Sequence, residues 1–181
     1  MKTQETKWVI DPTHSKVGFK VKHLMISNVL GSFREFEGKV TTEGNDFATA
    51  RILFSLSAAS IDTEVADRDA HLKSPDFFDA EKFPKLVFVG NELKDLGDDL
   101  YELTGDLTIK DVTRPVILQA EFGGVMTDPW GNVKAGFSVS GKINRKDFGL
   151  NWNAALEAGG VLVGEEVKLS ADIELAKVAS E

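Results

Sequence analysis

Between Tyr101 and Lys110 apolar and polar side chains alternate. Tyr101, Leu103, Gly105, Leu107 and Ile109 share one side; Glu102, Thr104, Asp106, Thr108 and Lys110 share the other. A period of two marks a β-strand with one dry and one wet face. The pattern recurs in Val17, Phe19, Val21 and His23, in Phe36, Gly38 and Val40, and in Ala50, Ile52, Phe54 and Leu56. After residue 110 it returns in 116–122, 135–143 and 167–175. With the unbroken apolar run 86–89, buried on both sides or lying under other structure, this makes about eight strands. Residues 93–99 read as a hairpin connection, and 28–32, containing Gly31, read as a break. Short connections favour antiparallel neighbours. A sheet dry on one face must close on itself or pair with a second sheet. The expected fold is therefore all-β: an eight-stranded antiparallel barrel of the size that can hold one small ligand.

One stretch breaks the period. In residues 60–79, SIDTEVADRDAHLKSPDFFD, Thr63 can cap a helix, Glu64 supplies negative charge in its first turn, and Ser74-Pro75 stops it. A short helical insertion is expected there, with Phe77 and Phe78 plugging something apolar. Arg68 is expected to pair locally with Asp67 or Asp69.

Composition narrows the function. The chain has 181 residues, enough for one domain with its own core, expected to span 1–181 with a structured core of about 8–176. Its net charge of −8 disfavours nucleic acid and anionic membrane surfaces as main partners. The absence of cysteine removes disulfides, thiolate catalysis and Cys-based metal sites. No run approaches a membrane span and the first residues, MKTQETKWVID, contain no signal-peptide core, so the expected location is cytoplasmic, or periplasmic if a signal has been removed. No stable membrane insertion is expected, and a homodimer is left open. Common hydrolase, zinc-protease, phosphate-loop and dinucleotide motifs are missing. His14, His23 and His71 have no ligand-pair spacing, so neither a metal site nor a cofactor is expected.

Several motifs occur in a fixed order: WVIDPTHS at 8–15, FKVKH at 19–23, G-S-F-x-x-F-x-G at 31–38, the insertion followed by Phe83-Pro84, LTIKDVTRPV at 107–116 and INRKDFG at 143–149. Together they resemble the YceI-like family of polyisoprenoid-binding proteins over nearly the whole chain. Many members of that family carry His-Gly where this chain has Lys110-Asp111. The small inward residues Gly38, Ala50, Gly105, Ala120, Ala135, Gly141 and Ala171 either fit the taper of a packed barrel or leave a lumen; the residues alone leave both open. The resemblance implies a lipocalin-like barrel with a lumen holding a long apolar chain, with no covalent chemistry, for transport, storage or sequestration. The candidate ligand contacts are Phe19, Val21, His23, Phe36, Phe54, Phe77, Phe78, Phe83, Phe88 and Phe137, with no catalytic residue. His23 would meet a head group at the pocket end or simply bond backbone. Two other readings stay open: a lipid-modifying enzyme with His23 as general base, and a stress-response protein with a packed barrel and a surface partner.

Overall fold

The computed structural model describes residues 4–156 and 159–179. Its strands are β1 (Glu5–Ile10), β2 (Lys16–His23), β3 (Ser27–Phe33), β4 (Phe36–Glu43), β5 (Asp46–Ser57), β6 (Ile61–Asp62), β7 (Lys85–Gly97), β8 (Leu100–Ile109), β9 (Val112–Thr127), β10 (Val133–Asn144) and β11 (Val163–Lys177). One helix, α1 (Ala66–Lys73), lies between β6 and β7. Hydrogen-bonded neighbours run β1-β4-β5-β7-β8-β9-β10-β11, and β11 pairs back with β1, closing an eight-stranded antiparallel barrel. The all-β barrel with a short helical insertion is thus the observed architecture.

The count of eight hides a difference in membership. β1 meets β11 at Ile10↔Leu175, and β2 meets the same strand at Val17↔Ala171. They are two halves of one long strand, kinked at residues 11–15. β4 and β3 form the next wall position in the same way, through Trp8↔Val40 and Val17↔Phe33. Residues 28–32, expected as a break, are therefore strand. Gly31 does not interrupt pairing: a Cβ there would lie 2.2 Å from Cζ of Phe19. The glycine is a seat that lets the Phe19 ring lie flat on the wall.

Two other expectations change. β7 continues to Gly97, so its hairpin narrows to Asp98-Asp99, both at positive φ (55° and 63°). The run 86–89 alternates instead of burying both faces: Leu86 and Phe88 are buried while Val89 is exposed.

In the insertion, α1 starts at Ala66, after Thr63, and no side chain caps it. Buried Thr63 instead links the insertion together: its N–H and hydroxyl donate to Asp69 Oδ1, while Arg68 Nε donates to Thr63 Oγ1 at 2.8 Å. Arg68 thus bonds Thr63 in place of the expected local carboxylate. Both backbone and side-chain polar atoms are satisfied, which is what burial of Thr63 requires.

Candidate binding lumen

An apolar cavity of about 210 Å³ lies inside the barrel. Of the described side chains lining it, only Ser140 and Ser170 are polar, and none is charged. Among the candidate contacts, Phe19, Phe54, Phe88 and Phe137 line this space. Val21, His23, Phe36, Phe77, Phe78 and Phe83 stand outside its lining. Phe36 packs beside Phe54, with ring centroids 6.3 Å apart. Phe83 is half-buried near the start of β7, with Lys82 Nζ 5.3 Å from its ring centre. His23 is half-buried on β2 opposite Val163 and Ser27.

The small wall residues have a more specific role than taper or void. A Cβ on Gly105 would come within 2.6 Å of Phe88 Cζ, and one on Gly141 within 2.3 Å of Leu118 Cδ2. Neighbouring large side chains lie back over these glycines, so Phe88 and Leu118 hug the wall and the axis keeps its space.

One end of the lumen is plugged. Trp8 is fully buried and its Nε1 donates to Thr42 Oγ1 at 3.1 Å. Phe47 stacks against Trp8, Phe122 and Phe137 with centroids 5.2, 5.4 and 5.0 Å away. Just outside, the D-P-T-H-S corner is stapled to β10 and β11. Asp11 N–H donates to Glu174 C=O at 2.8 Å, and Ser15 Oγ accepts from Glu174 N–H at 2.9 Å. Asp11 Oδ2 accepts from Lys134 Nζ at 2.9 Å and lies 3.0 Å from His14 Nδ1. The hydrogen bond from the Thr13 hydroxyl, then those from Lys134 and His14, hold the Asp11 carboxyl far below the usual carboxylate range. The same bond to Asp11, with Glu174 nearby, raises the His14 pKa, and Asp11 raises that of Lys134.

Asp11, His14 and Glu174 also offer three converging ligand atoms, the one such grouping of three among the described residues. The Lys134 ammonium lies 2.9 and 3.6 Å from the two carboxylates, so their charge already has a cation of the chain's own. The three histidines do not meet: His14 sits at this corner, His23 ends β2 and His71 lies on α1. A shallow groove of about 480 Å³ beside the corner is lined by His14, Lys134, Asp172 and Glu174, and shares Phe137 and Ile173 with the lumen lining.

The other end is capped by segments outside the ladder. Ala58 and Ile61 precede α1, and Phe148 and Leu150 follow β10; all four are buried against Phe33 and Leu56. Phe78 reaches this cluster edge-on to Phe33 at 6.0 Å. Phe77 is clasped between His71 and Trp152, at 5.1 and 5.4 Å, and His71 Nε2 lies 2.8 Å from Asp76 Oδ2. The adjoining loop is held by Arg145, a buried guanidinium with no carboxylate bonded to it among the described residues. It donates instead to the backbone carbonyls of Leu150 (2.6 Å), Trp152 (2.9 Å), Gly164 (2.8 Å) and Val163 (3.2 Å). Burial lowers its pKa from the ordinary value. No role for Arg145 was visible in the sequence, although it opens a turn that ends at Gly149 with φ 77°. The chain after β10 turns through the 3₁₀ segment Arg145–Phe148; residues 157 and 158 lie outside the described residues.

Fold and lumen together define a small closed antiparallel barrel with an apolar interior, plugged at one end and capped by inserted segments at the other. The chain belongs to the YceI-like domain family, which matches residues 8–175. A UPF0312 protein of Staphylococcus epidermidis is 42% identical over 170 residues, covering 93% of this chain and 96% of that protein. The solved YCEI protein of Campylobacter jejuni aligns with a TM-score of 0.74 and 33% identity, over 94% of this chain and 96% of that one. A solved polyisoprenoid binding domain from Saccharophagus degradans shares the fold, with a TM-score of 0.72 and 13% identity, over 93% and 97% of the two chains. No helix among the described residues is long and apolar enough to cross a membrane.

Proposed function

We propose that the protein binds a polyisoprenoid or similar long apolar lipid with its tail in the barrel lumen, for transport, storage or sequestration, and carries out no covalent chemistry. The observation that carries this reading is the lining. A lining with no charged side chain among the described residues suits a hydrocarbon. His23, the base required by a lumen-enzyme reading, stands outside that lining. The Saccharophagus degradans neighbour is described as polyisoprenoid binding, and the same ligand class fits this interior.

The driving force is transfer of tail from water, about 0.8 kcal/mol per buried methylene, offset by ordering of the chain and loss of its freedom. At about 210 Å³ the lumen is smaller than the roughly 300–1,000 Å³ usual for ligand pockets. A long tail therefore needs rings such as Phe19 and Phe54 to rotate, or the capped end to move. The test is organic extraction and mass spectrometry of folded protein purified without detergent, followed by melting in the presence of prenyl lipids of increasing length. A stoichiometric lipid is expected, with affinity rising by about 1 to 3 kcal/mol per isoprene unit and then levelling when the barrel is full. Repeated extraction of no lipid, together with no rise in melting temperature, overturns the reading.

A further inference from the structure

The rim of the capped end is built against the usual rules for an exposed edge. From residue 24 to residue 33 the chain carries no Asp, Glu, Lys or Arg, although 28% of the whole is charged. Met25 is 60% exposed, Ile26 82% and Leu30 68%. The tip of the β2–β3 hairpin holds Leu24 and Met25 at φ 53° and 63°. That left-handed region suits Asn and Gly, and bulky side chains adopt it only with strain. Here the strained positions display apolar side chains to solvent. The tip adjoins the capping loop: Leu24 N–H donates to Leu162 C=O at 2.9 Å, and Met25 lies over Gly160, where a Cβ would come within 2.2 Å of its Sδ. Exposed Val161 extends the apolar patch.

Behind the tip stands a row of lysines. Lys22 pairs with Asn28 one rung back, and Lys20 lies between Lys168 and Leu30. Lys142 and Lys146 on the same side are paired with Glu166 and Glu165. Lys20, Lys22 and Lys168 have no carboxylate within 4.0 Å among the described residues. In sheet order the acidic insertion lies across β3 from these lysines, so the net charge of −8 is unevenly spread. Exposed apolar residues bordered by unpaired ammonium groups match the interfacial zone of an anionic bilayer, where apolar burial and attraction to head groups add.

We propose that the β2–β3 tip and its lysine row dock the capped end on an anionic phospholipid bilayer surface, with Met25 and Ile26 in the interface and no segment crossing it. The inference goes beyond lumen binding and stands independently of it. It is tested by flotation of the full chain with phosphatidylcholine vesicles, with and without phosphatidylglycerol. Melting curves check the fold of each variant, light scattering checks oligomeric state, and lipid extraction reads the lumen separately. Wild-type protein floats with the phosphatidylglycerol vesicles. The double variant Met25→Asp/Ile26→Asp melts like wild type but loses at least about tenfold in partition. Lys22→Gln and Lys168→Gln each lower partition on phosphatidylglycerol vesicles by about fivefold, an effect that added salt reproduces. Three results overturn the proposal: wild-type protein that floats with neither vesicle, tip variants that float like wild type, or a dimer that the Asp variants split while vesicles are ignored.

Discussion

At the plugged end the barrel is closed by its own ladder: β1 bridges β4 and β11, and Trp8 stands in the middle of that bridge with Phe47 packed on it. At the capped end closure passes to segments outside the ladder, held by side chains such as Phe77, Phe78 and Phe148 and by Arg145 gripping loop carbonyls. The difference lies in how disruption spreads. Loss of a ladder residue costs the whole barrel, because every strand depends on closure. Loss of a docked segment costs that segment first, as expected where few apolar contacts hold a piece of chain. A tail cannot thread a closed ladder, so the capped end is where a lipid would pass.

The largest effect expected from this contrast is at Trp8. Trp8→Ala removes a fully buried indole and a hydrogen bond to Thr42, and should cost roughly 3–5 kcal/mol. The loss should appear as one cooperative transition at lower denaturant, with amide exchange raised throughout. A variant that frays only β1 would erase the distinction between the ends.

Phe77→Ala with Phe78→Ala is the matching cut at the cap. Two fully buried rings would cost roughly 3–5 kcal/mol each. If they hold a movable cap, global stability should fall by well under that sum, because the barrel remains closed without them. Exchange should then rise across residues 63–83 while β8, β9 and β10 stay protected, and bound lipid should leave faster. Cooperative melting of the whole protein would instead make this end as integral as the plug.

The sequence showed the ladder more clearly than the ends for a physical reason. Alternation is local, so Tyr101–Ile109 declares both strand and inward face without knowledge of its partners. β3 escaped because glycine reads as a break until Phe19, on the neighbouring strand, is seen lying over Gly31. The D-P-T-H-S corner was visible as a motif, but its purpose depends on Lys134 and Glu174, which are more than a hundred residues away in sequence. Phe19, Phe54 and Phe137 were readable as inward residues from strand phase, whereas Phe88 sat in an unbroken apolar run whose phase only the ladder shows. Phe77 gave only its apolar character, and its clasp between His71 and Trp152 needed the fold. Arg145 stood in the INRKDFG motif, but its role was hidden, since carbonyl partners have no side-chain code.

The pH dependence sharpens the plugged side. Asp11 has a folded pKa below its unfolded value, set first by the Thr13 hydroxyl and then by Lys134 and His14. Such a group stabilises the fold above the unfolded carboxylate value near about 4, and the contribution fades as pH falls below it towards the folded value. His14 runs the opposite way: its raised pKa stabilises below about 6.5, and that part is lost as pH rises through the folded value. The difference in denaturation midpoint between wild type and Asp11→Asn should therefore be full near neutrality and shrink in acid. A gap that stays constant down to about pH 2 would mean that Asp11 acts through shape alone.

The smallest effect on stability is expected from His23→Leu, and it probes the capped side without touching the cap. His23 is half-buried between Val163 and Ser27, and its imidazole makes no hydrogen bond among the described residues. Leucine is of similar bulk and leaves no polar partner stranded, so stability should change by less than about 1 kcal/mol. The position lies one residue from the exposed β2–β3 tip, at the end where a head group would remain if the tail enters the lumen. The substitution should therefore shift preference among lipids with different head groups while leaving the dependence on tail length unchanged. Titrating a prenyl alcohol and its phosphate against both proteins reads the two effects apart. If the alcohol and the phosphate weaken equally, His23 is a packing residue and the head group lies elsewhere. If neither changes while the Phe77/Phe78 variant still releases lipid faster, the cap controls passage and contributes nothing to recognition at this position.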